Sequence, residues 1–237
     1  MTAALAIYLG TIDALPHQPD ILTTDEHHRQ QAMGGERRRR QFGAGRRLLR
    51  YALSHLRPQT PPEAWRFSLH DGRPTLDAAS GLEFSLSHSG EHVGCIIHTG
   101  GRCGLDLQVH RRHTAALAAA GFDAPSNHWL ARQPDGDLAF HQLWVLKEAW
   151  AKATATPLLA ALRQTRWTIR DTPPPTADWS AGTTLRSGSL SVGWVAASAQ
   201  PAPALWLWQR DGFVAQDVDW IPWALDALTD TPHRHDT

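Results

Sequence analysis

Cysteine is scarce in this chain: Cys95 and Cys103 are the two among 237 residues. Their spacing is not that of a zinc site, and a chain of this size in the cytosol seldom keeps a disulfide, so both read as buried thiols. Net charge is absent as well, since 23 basic side chains balance 23 acidic ones. No global field therefore recruits nucleic acid or an anionic membrane, and any basic function has to be local. No apolar run approaches the roughly 20 residues of a spanning helix, and no charged-then-apolar leader opens the chain; the expectation is a cytoplasmic protein with no membrane partner. A P-loop and a kinase-type glycine-rich loop are missing too, which argues against an ordinary nucleoside triphosphatase. At 42% hydrophobic and 19% charged residues, the composition is that of a globular chain with one large domain or two small ones. The eleven tryptophans are dispersed and read as core or half-buried strand residues.

What is present centres on Phe140 to Thr154, F-H-Q-L-W-V-L-K-E-A-W-A-K-A-T. Leu138, Leu143, Leu146, Ala149, Trp150 and Ala153 recur at three- and four-residue steps, which predicts a helix with one apolar stripe. Asp135 or Asp137 can cap its start. Glu148 and Lys152, four apart, then stand one turn above the other on one face; alone they are a surface ion pair worth about 0.3–0.5 kcal/mol. A second stretch, G-R-C-G-L-D-L-Q-V-H from Gly101 to His110, reads as a strand that puts Asp106 between two leucines. A carboxylate in that company needs a reason.

Along the rest of the chain, Ala3 to Thr11 reads as an apolar central strand, and Thr23-Thr24 as the start of a capped polar helix. Glu36 to Leu56 is helical, with Arg39, Arg46 and Arg50 on one stripe and Phe42, Leu49, Leu53 and Leu56 able to face a core. Such arginines are a solvated face or an anion site. Trp65 to His70 is a strand closed by a hairpin turn at Asp71-Gly72, and Phe84 to His98 is two strands joined around Ser87, His88, Ser89 and Gly90. Ala115 to Ala120 reads as an alanine-rich helix, followed by a loop through Pro125 and Pro134. Leu162 to Ile169, Leu190 to Ala196, Leu205 to Arg210 and Gly212 to Trp220 read as strands completing a second sheet, with a frayed tail near 230–237.

Asp106 and Glu148 are hard oxygen ligands of the kind magnesium takes, and magnesium completes its shell with waters and phosphate oxygens. With Lys152 beside the acid, His88 in a serine-flanked segment and the arginine helix, the set describes a pocket for a polyphosphate compound, where metal and cations neutralise charge developing in phosphoryl transfer.

These residues carry a resemblance. G-L-D-L-Q (Gly104 to Gln108) followed by L-W-V-L-K-E-A-W-A-K-A (Leu143 to Ala153) resembles the paired signature of the 4′-phosphopantetheinyl transferases. F-S-L-S-H-S-G (Phe84 to Gly90), Arg73-Pro74 and R-R-L-L-R (Arg46 to Arg50) resemble segments of that superfamily's larger, pseudodimeric, surfactin-synthetase-activating type. The resemblance covers roughly residues 36 to 154. It implies transfer of the phosphopantetheine arm of coenzyme A to a serine of an apo acyl, peptidyl or aryl carrier protein, with release of adenosine 3′,5′-bisphosphate. It implies Mg²⁺ on Asp106 and Glu148, Glu148 as the acceptor of the serine proton, Lys152 on the pyrophosphate, and coenzyme A contacts from Arg38, Arg46, Arg73, Ser87 and His88.

Two departures stand out. Gln108 occupies the place of an acidic third ligand, so weaker Mg²⁺ affinity is expected, whether its amide oxygen or a water coordinates. Lys152 to Pro157 reads K-A-T-A-T-P where the superfamily has glycines, so the loop after the helix is expected to differ. A second reading is a coenzyme A- or carrier-binding module that has lost transfer activity; retention of Asp106, Glu148 and Lys152 together speaks against it. Nucleic-acid binding through Arg37 to Arg50 is disfavoured by the neutral total charge. The expected architecture is α+β: two similar subdomains, residues 1–101 and 102–237, each a small, largely antiparallel sheet flanked by helices. The cleft lies near 99–104, and a monomer suffices because a pseudodimer already has two sides.

Overall fold

The computed structural model describes residues 5–16, 21–70, 72–111, 121–169, 178–186, 188–197 and 201–225. The expected alanine-rich helix at 115–120 and the tail near 230–237 lie outside the described residues. In chain order the strands are β1 (Leu5–Thr11), β2 (Ser68–His70), β3 (Arg73–Thr75), β4 (Glu83–Ser89), β5 (His92–His98), β6 (Cys103–Val109), β7 (Trp167–Ile169), β8 (Trp179–Arg186), β9 (Leu190–Ala197), β10 (Ala204–Gln209), β11 (Gly212–Gln216) and β12 (Ile221–Leu225). The α-helices are α1 (Thr24–Ala32), α2 (Glu36–Leu56), α3 (Ala124–Leu130), α4 (Gly136–Thr154) and α5 (Leu158–Gln164).

The architecture is α+β with two five-stranded sheets, as expected. One runs β11-β10-β1-β5-β4 and the other β6-β9-β8-β12-β7, with β2-β3 as a separate hairpin. Pairing is antiparallel except between β1 and β10. Cutting the chain at 101/102 separates β5 from β6, but the β10–β11 hairpin crosses back. It was expected to complete the second sheet and completes the first instead, with Ala6 opposite Ala204 and Leu9 opposite Leu207. The reason is visible in β1, whose side chains are buried on both faces: a strand apolar on both sides needs a partner on each edge.

Period-two alternation sorts the core into layers. Ala6 and Tyr8 of β1 and Val93, Cys95 and Ile97 of β5 face helix α2, where Leu48, Leu49 and Leu53 meet them. Leu5, Ile7, Leu9 and Ile96 face the other way, onto Cys103, Leu105 and Leu107 of β6 and Val192 and Trp194 of β9. On the far side of the second sheet, Leu143, Leu146, Ala149 and Ala153 of α4 pack with Ala181, Val195 and Trp223. The two sheets thus share the middle layer, and each carries its long helix outside.

Several local expectations are corrected. Leu162 was read into a strand, but 158–164 is helix α5: Leu158, Leu159, Ala160 and Ala161 are strong helix formers started by Pro157, and the strand begins at Trp167. The loop through Pro125 is helix α3, with that proline in its first turn. Trp179–Arg186 and Ile221–Leu225 are strands the patterning did not reveal. Asp135, not Asp137, caps α4, accepting from Leu138 N at 2.9 Å.

Helix α4 sits unusually close to its sheet. A Cβ added at Gly104 would lie 1.9 Å from Ala149 O, and one at Gly193, the strand partner of Asp106, would meet Val145 at 2.7–2.9 Å. Both neighbours include backbone, which cannot step aside as a side-chain tip can. Gly104→Ala is therefore expected to destabilise the fold by about 3 kcal/mol or more, measured by urea unfolding, since the helix must move off the sheet. A loss below about 1 kcal/mol would mean that the approach is looser than this.

Candidate functional site

Close packing at Gly104 brings α4 alongside β6 so that residues of the helix reach Asp106. Leu105 and Leu107 take the inner face of β6, and Asp106, between them in sequence, takes the face toward α4. Lys152 Nζ lies 2.7 Å from Asp106 Oδ1 and also donates to Leu105 O at 3.0 Å and Ser87 Oγ at 3.2 Å. Ser87 Oγ donates to Asp106 Oδ1 at 2.8 Å. Lys152 thus gives its charge to Asp106 across two elements, where helical spacing alone suggested a surface pair with Glu148.

Glu148, one turn earlier, is half-buried. Its carboxyl is held above the usual glutamate range, first by burial and then by the charge of Asp106, with Lys152 and a hydrogen bond from Trp144 opposing. The two acids share the one ammonium of Lys152, whose closest contact is with Asp106. Among the described residues no cluster of three or more His, Cys, Asp or Glu forms a metal site. Magnesium, however, needs only one or two protein carboxylates when phosphates and waters supply the rest, so Asp106 and Glu148 fit it. Gln108, the candidate third ligand, donates its amide to Val109 O at 3.1 Å.

A cleft of about 920 Å³ opens between the first half of α2, the β2–β3 hairpin, β4 and the end of α4. Arg38, Arg46, Arg73, Ser87, His88 and Lys152 all line it. Arg38 and Arg73 are exposed there. Arg46 is 5% exposed, with Nε 3.5 Å from Glu26 Oε1 and its guanidinium over the rings of Phe42 and Phe67. Burial lowers its pKa to about 10 against the pull of Glu26, and its Nη1 has no hydrogen-bond partner. An anion in the cleft would answer both deficits. Arg50 is not part of the wall: it is fully buried and bidentate to Glu26, at 3.2 and 2.7 Å. The arginine stripe is thus neither a solvated face nor a uniform anion site.

The sequence reading places Ser87, His88 and Ser89 in a turn, but they lie in β4, and the turn is made by Gly90 (φ +61°) and Glu91. Alternation sends both serines toward β6, where Ser89 Oγ accepts from Val109 N at 2.9 Å, and leaves His88 exposed. Surrounding protein lowers the pKa of His88, as does the charge of Lys152.

Residues 102–199 match the family model of the 4′-phosphopantetheinyl transferase superfamily. Over those residues the chain is similar to that superfamily. Curated relatives include the 4′-phosphopantetheinyl transferase AcpT of Salmonella typhimurium, 34% identical over 113 residues, covering 46% of this chain and 55% of AcpT. The 4′-phosphopantetheinyl transferase HetI of Nostoc is 33% identical over 142 residues, 56% of this chain and 59% of HetI. The uncharacterized protein YieE of Escherichia coli K12 is 32% identical over 102 residues, 38% of this chain and 39% of YieE. The matches thus span less than two thirds of the length of these relatives.

The superfamily signature holds a residue whose role the sequence did not disclose. Lys147, beside Glu148, is fully buried and donates to Asp123 Oδ1 (2.9 Å), Leu162 O (2.7 Å) and Thr165 O (2.7 Å). It ties α4 to the end of α5 and the start of α3, while burial lowers its pKa. Its position on the apolar stripe, four after Leu143, was the available signal. Glu26, which holds Arg46 and Arg50 and also completes the capping box of α1 with Thr23, was signalled only by its N3 spacing from that threonine.

At K-A-T-A-T-P, Ala155 adopts the left-handed conformation (φ +56°, ψ +24°) without a glycine and closes α4 there. Ala155→Gly is expected to stabilise the protein by about 0.5–1 kcal/mol in urea unfolding, the relief of left-handed strain exceeding the added chain entropy. For Glu148 the sign runs the other way from a paired acid. A folded pKa raised above the unfolded value, about 4.3, means that stability present below that pH is lost as pH rises through the folded value. In metal-free protein, Glu148→Gln should raise the melting temperature at neutral pH and leave it unchanged near about pH 4. A drop at neutral pH would overturn the assignment of the cause.

Proposed function

We propose that this chain transfers the 4′-phosphopantetheine arm of coenzyme A to a serine of an apo carrier protein, with Mg²⁺, and releases adenosine 3′,5′-bisphosphate. One observation carries the reading: Arg38, Arg46, Arg73 and His88 line one cleft, of about 920 Å³, together with Lys152, whose ammonium lies 2.7 Å from Asp106 one turn beyond Glu148, as a polyphosphate with an adenosine end requires. The match of residues 102–199 to the superfamily's model supports the same reaction class.

In this reading, Arg46 and His88 hold the 3′-phosphate end, with Arg38 beside them and Arg73 near the nucleotide. Asp106 and Glu148, with Gln108 or a water beside them, would hold Mg²⁺, which would supply charge neutralisation on the pyrophosphate. Lys152, which neutralises Asp106 in the ligand-free protein, contacts the pyrophosphate from the same wall. The carrier serine oxygen attacks the phosphorus bearing pantetheine, the bond from that phosphorus to the bridging oxygen of the pyrophosphate breaks, and adenosine 3′,5′-bisphosphate leaves. Glu148 takes the serine proton, directly or through a water. The remaining work is positioning and charge neutralisation, with no covalent enzyme intermediate. We further propose that the halves 1–101 and 102–237 enclose coenzyme A between them in a monomeric, cytoplasmic protein. No helix among the described residues is long and apolar enough to cross a membrane.

Incubation with coenzyme A, Mg²⁺ and a panel of acyl, peptidyl and aryl apo carriers should add one phosphopantetheine by intact mass. EDTA should abolish the gain, and Glu148→Gln should reduce its rate by about 10²-fold or more, the scale of a lost proton acceptor. Absence of any gain across the panel, with coenzyme A still bound, would sink the transferase reading in favour of the binding module.

A further inference from the structure

Beyond the roles assigned above, and resting on the transferase reading, we infer that Ser87 is a positioning residue. Its hydroxyl comes from one sheet to fix the Asp106–Lys152 pair of the other, and it is not a contact for coenzyme A although it lines the cleft. The valences of one oxygen carry the argument. A serine hydroxyl has one hydrogen and two lone pairs. Ser87 Oγ donates its hydrogen to Asp106 Oδ1 at 2.8 Å and accepts from Leu107 N at 3.1 Å and Lys152 Nζ at 3.2 Å. Nothing remains to offer a phosphate oxygen, which needs a donor. Turning the single O–H away from a buried carboxylate would exchange one charge-assisted bond for another and release Asp106.

The same geometry explains why two serines flank His88. Strands β4 and β6 are the edges of different sheets. Leu107 and Val109, two apart on β6, send their N–H groups to Ser87 Oγ and Ser89 Oγ, two apart on β4. The hydroxyls stand where the carbonyls of a neighbouring strand would otherwise stand, so the edges are stitched by side chains. Ser89 is only a stitch. Ser87 is a stitch that also holds the acid and the lysine, so the orientation of Asp106, in the second sheet, is set by a residue of the first. Both donors reach the same carboxylate oxygen, Oδ1, from two directions, and their removal one at a time distinguishes holding from binding.

Ser89→Ala is the comparison a purely structural role cannot pass, because it removes the neighbouring stitch and touches neither Asp106 nor Lys152. Both Ser87→Ala and Ser89→Ala should unfold at somewhat lower temperature. Only Ser87→Ala should lower kcat at saturating coenzyme A, by about tenfold or more, while its calorimetric Kd for coenzyme A stays within about twofold of the parent. Ser87→Thr, which keeps a hydroxyl, should recover most of that kcat. Coenzyme A binding weakened about tenfold with kcat retained would make Ser87 a ligand and overturn the inference, as would equal kcat losses in the two alanine variants. If the parent protein modifies no carrier, the transferase reading fails by itself. The unfolding cycle of Ser87→Ala with Asp106→Asn in metal-free protein then decides the positioning claim: additive losses overturn it, and a double variant no less stable than the worse single variant supports it.

Discussion

The approach of helix α4 to strand β6 is the constraint on which the site depends. At Gly104 the helix backbone occupies the space a Cβ would take, and at Gly193, across from Asp106, it does so again. Helix–sheet contact this close leaves no layer of side chains between Asp106 and the helix, so a lysine four residues beyond Glu148 can reach both the carboxylate and the backbone carbonyl before it. The opposite side of α4 is fixed by Lys147, whose three donors end on Asp123 and on two carbonyls around the end of α5. Adjacent residues of a helix point about 100° apart. That angle lets Lys147 serve the interior while Glu148 serves the cleft.

Charge around the cleft is arranged so that each group is partly, and not fully, compensated. Arg46 has Glu26 at 3.5 Å but shares it with Arg50, which takes both carboxylate oxygens, and keeps an unpartnered Nη1. Glu148 has Lys152 near it, but Lys152 spends its closest contact on Asp106. A buried polar group without its full complement of partners costs stability, and the unpartnered Nη1 of Arg46, which lines the cleft, is the group an anionic ligand there would satisfy. The excess is positive along α2 and negative at Asp106 and Glu148. An anionic ligand together with a cation would satisfy both ends at once, and neither would do so alone.

Much of this was legible in the sequence because it rests on short-range periodicity. The i,i+4 spacing placed Glu148 and Lys152 together, the alternation of β6 set Asp106 opposite Leu105 and Leu107, and the capping residues fixed the starts of α1 and α4. What was not legible depends on partners far along the chain. The return of β10 to β1 is set by which edge needs covering, and no local pattern in Ala204–Gln209 states that. Arg46 and Arg50 look alike on a helical stripe and both reach Glu26, yet Arg50 is interior and bidentate to that acid while Arg46 borders the cleft, a difference set by partners outside the helix. The left-handed turn at Ala155 was not legible because a non-glycine there is costly, and only the packing of a whole helix against its sheet makes it tolerable.

The serine-flanked histidine shows how such a motif is to be understood physically. In isolation, S-H-S suggests three polar groups of one site. Within a strand the period of two divides them: the histidine belongs to the cleft and the serines to the seam between sheets. Ser87 is the point at which the seam and the site coincide, since one hydroxyl closes a strand edge and orients an acid. A chain whose halves each carry a sheet can therefore couple their contact to the state of the site without any residue moving far. Loss of the seam at Ser87 takes one hydrogen bond from Asp106 and one from Lys152 together, whereas loss at Ser89 opens an edge and leaves the pair untouched.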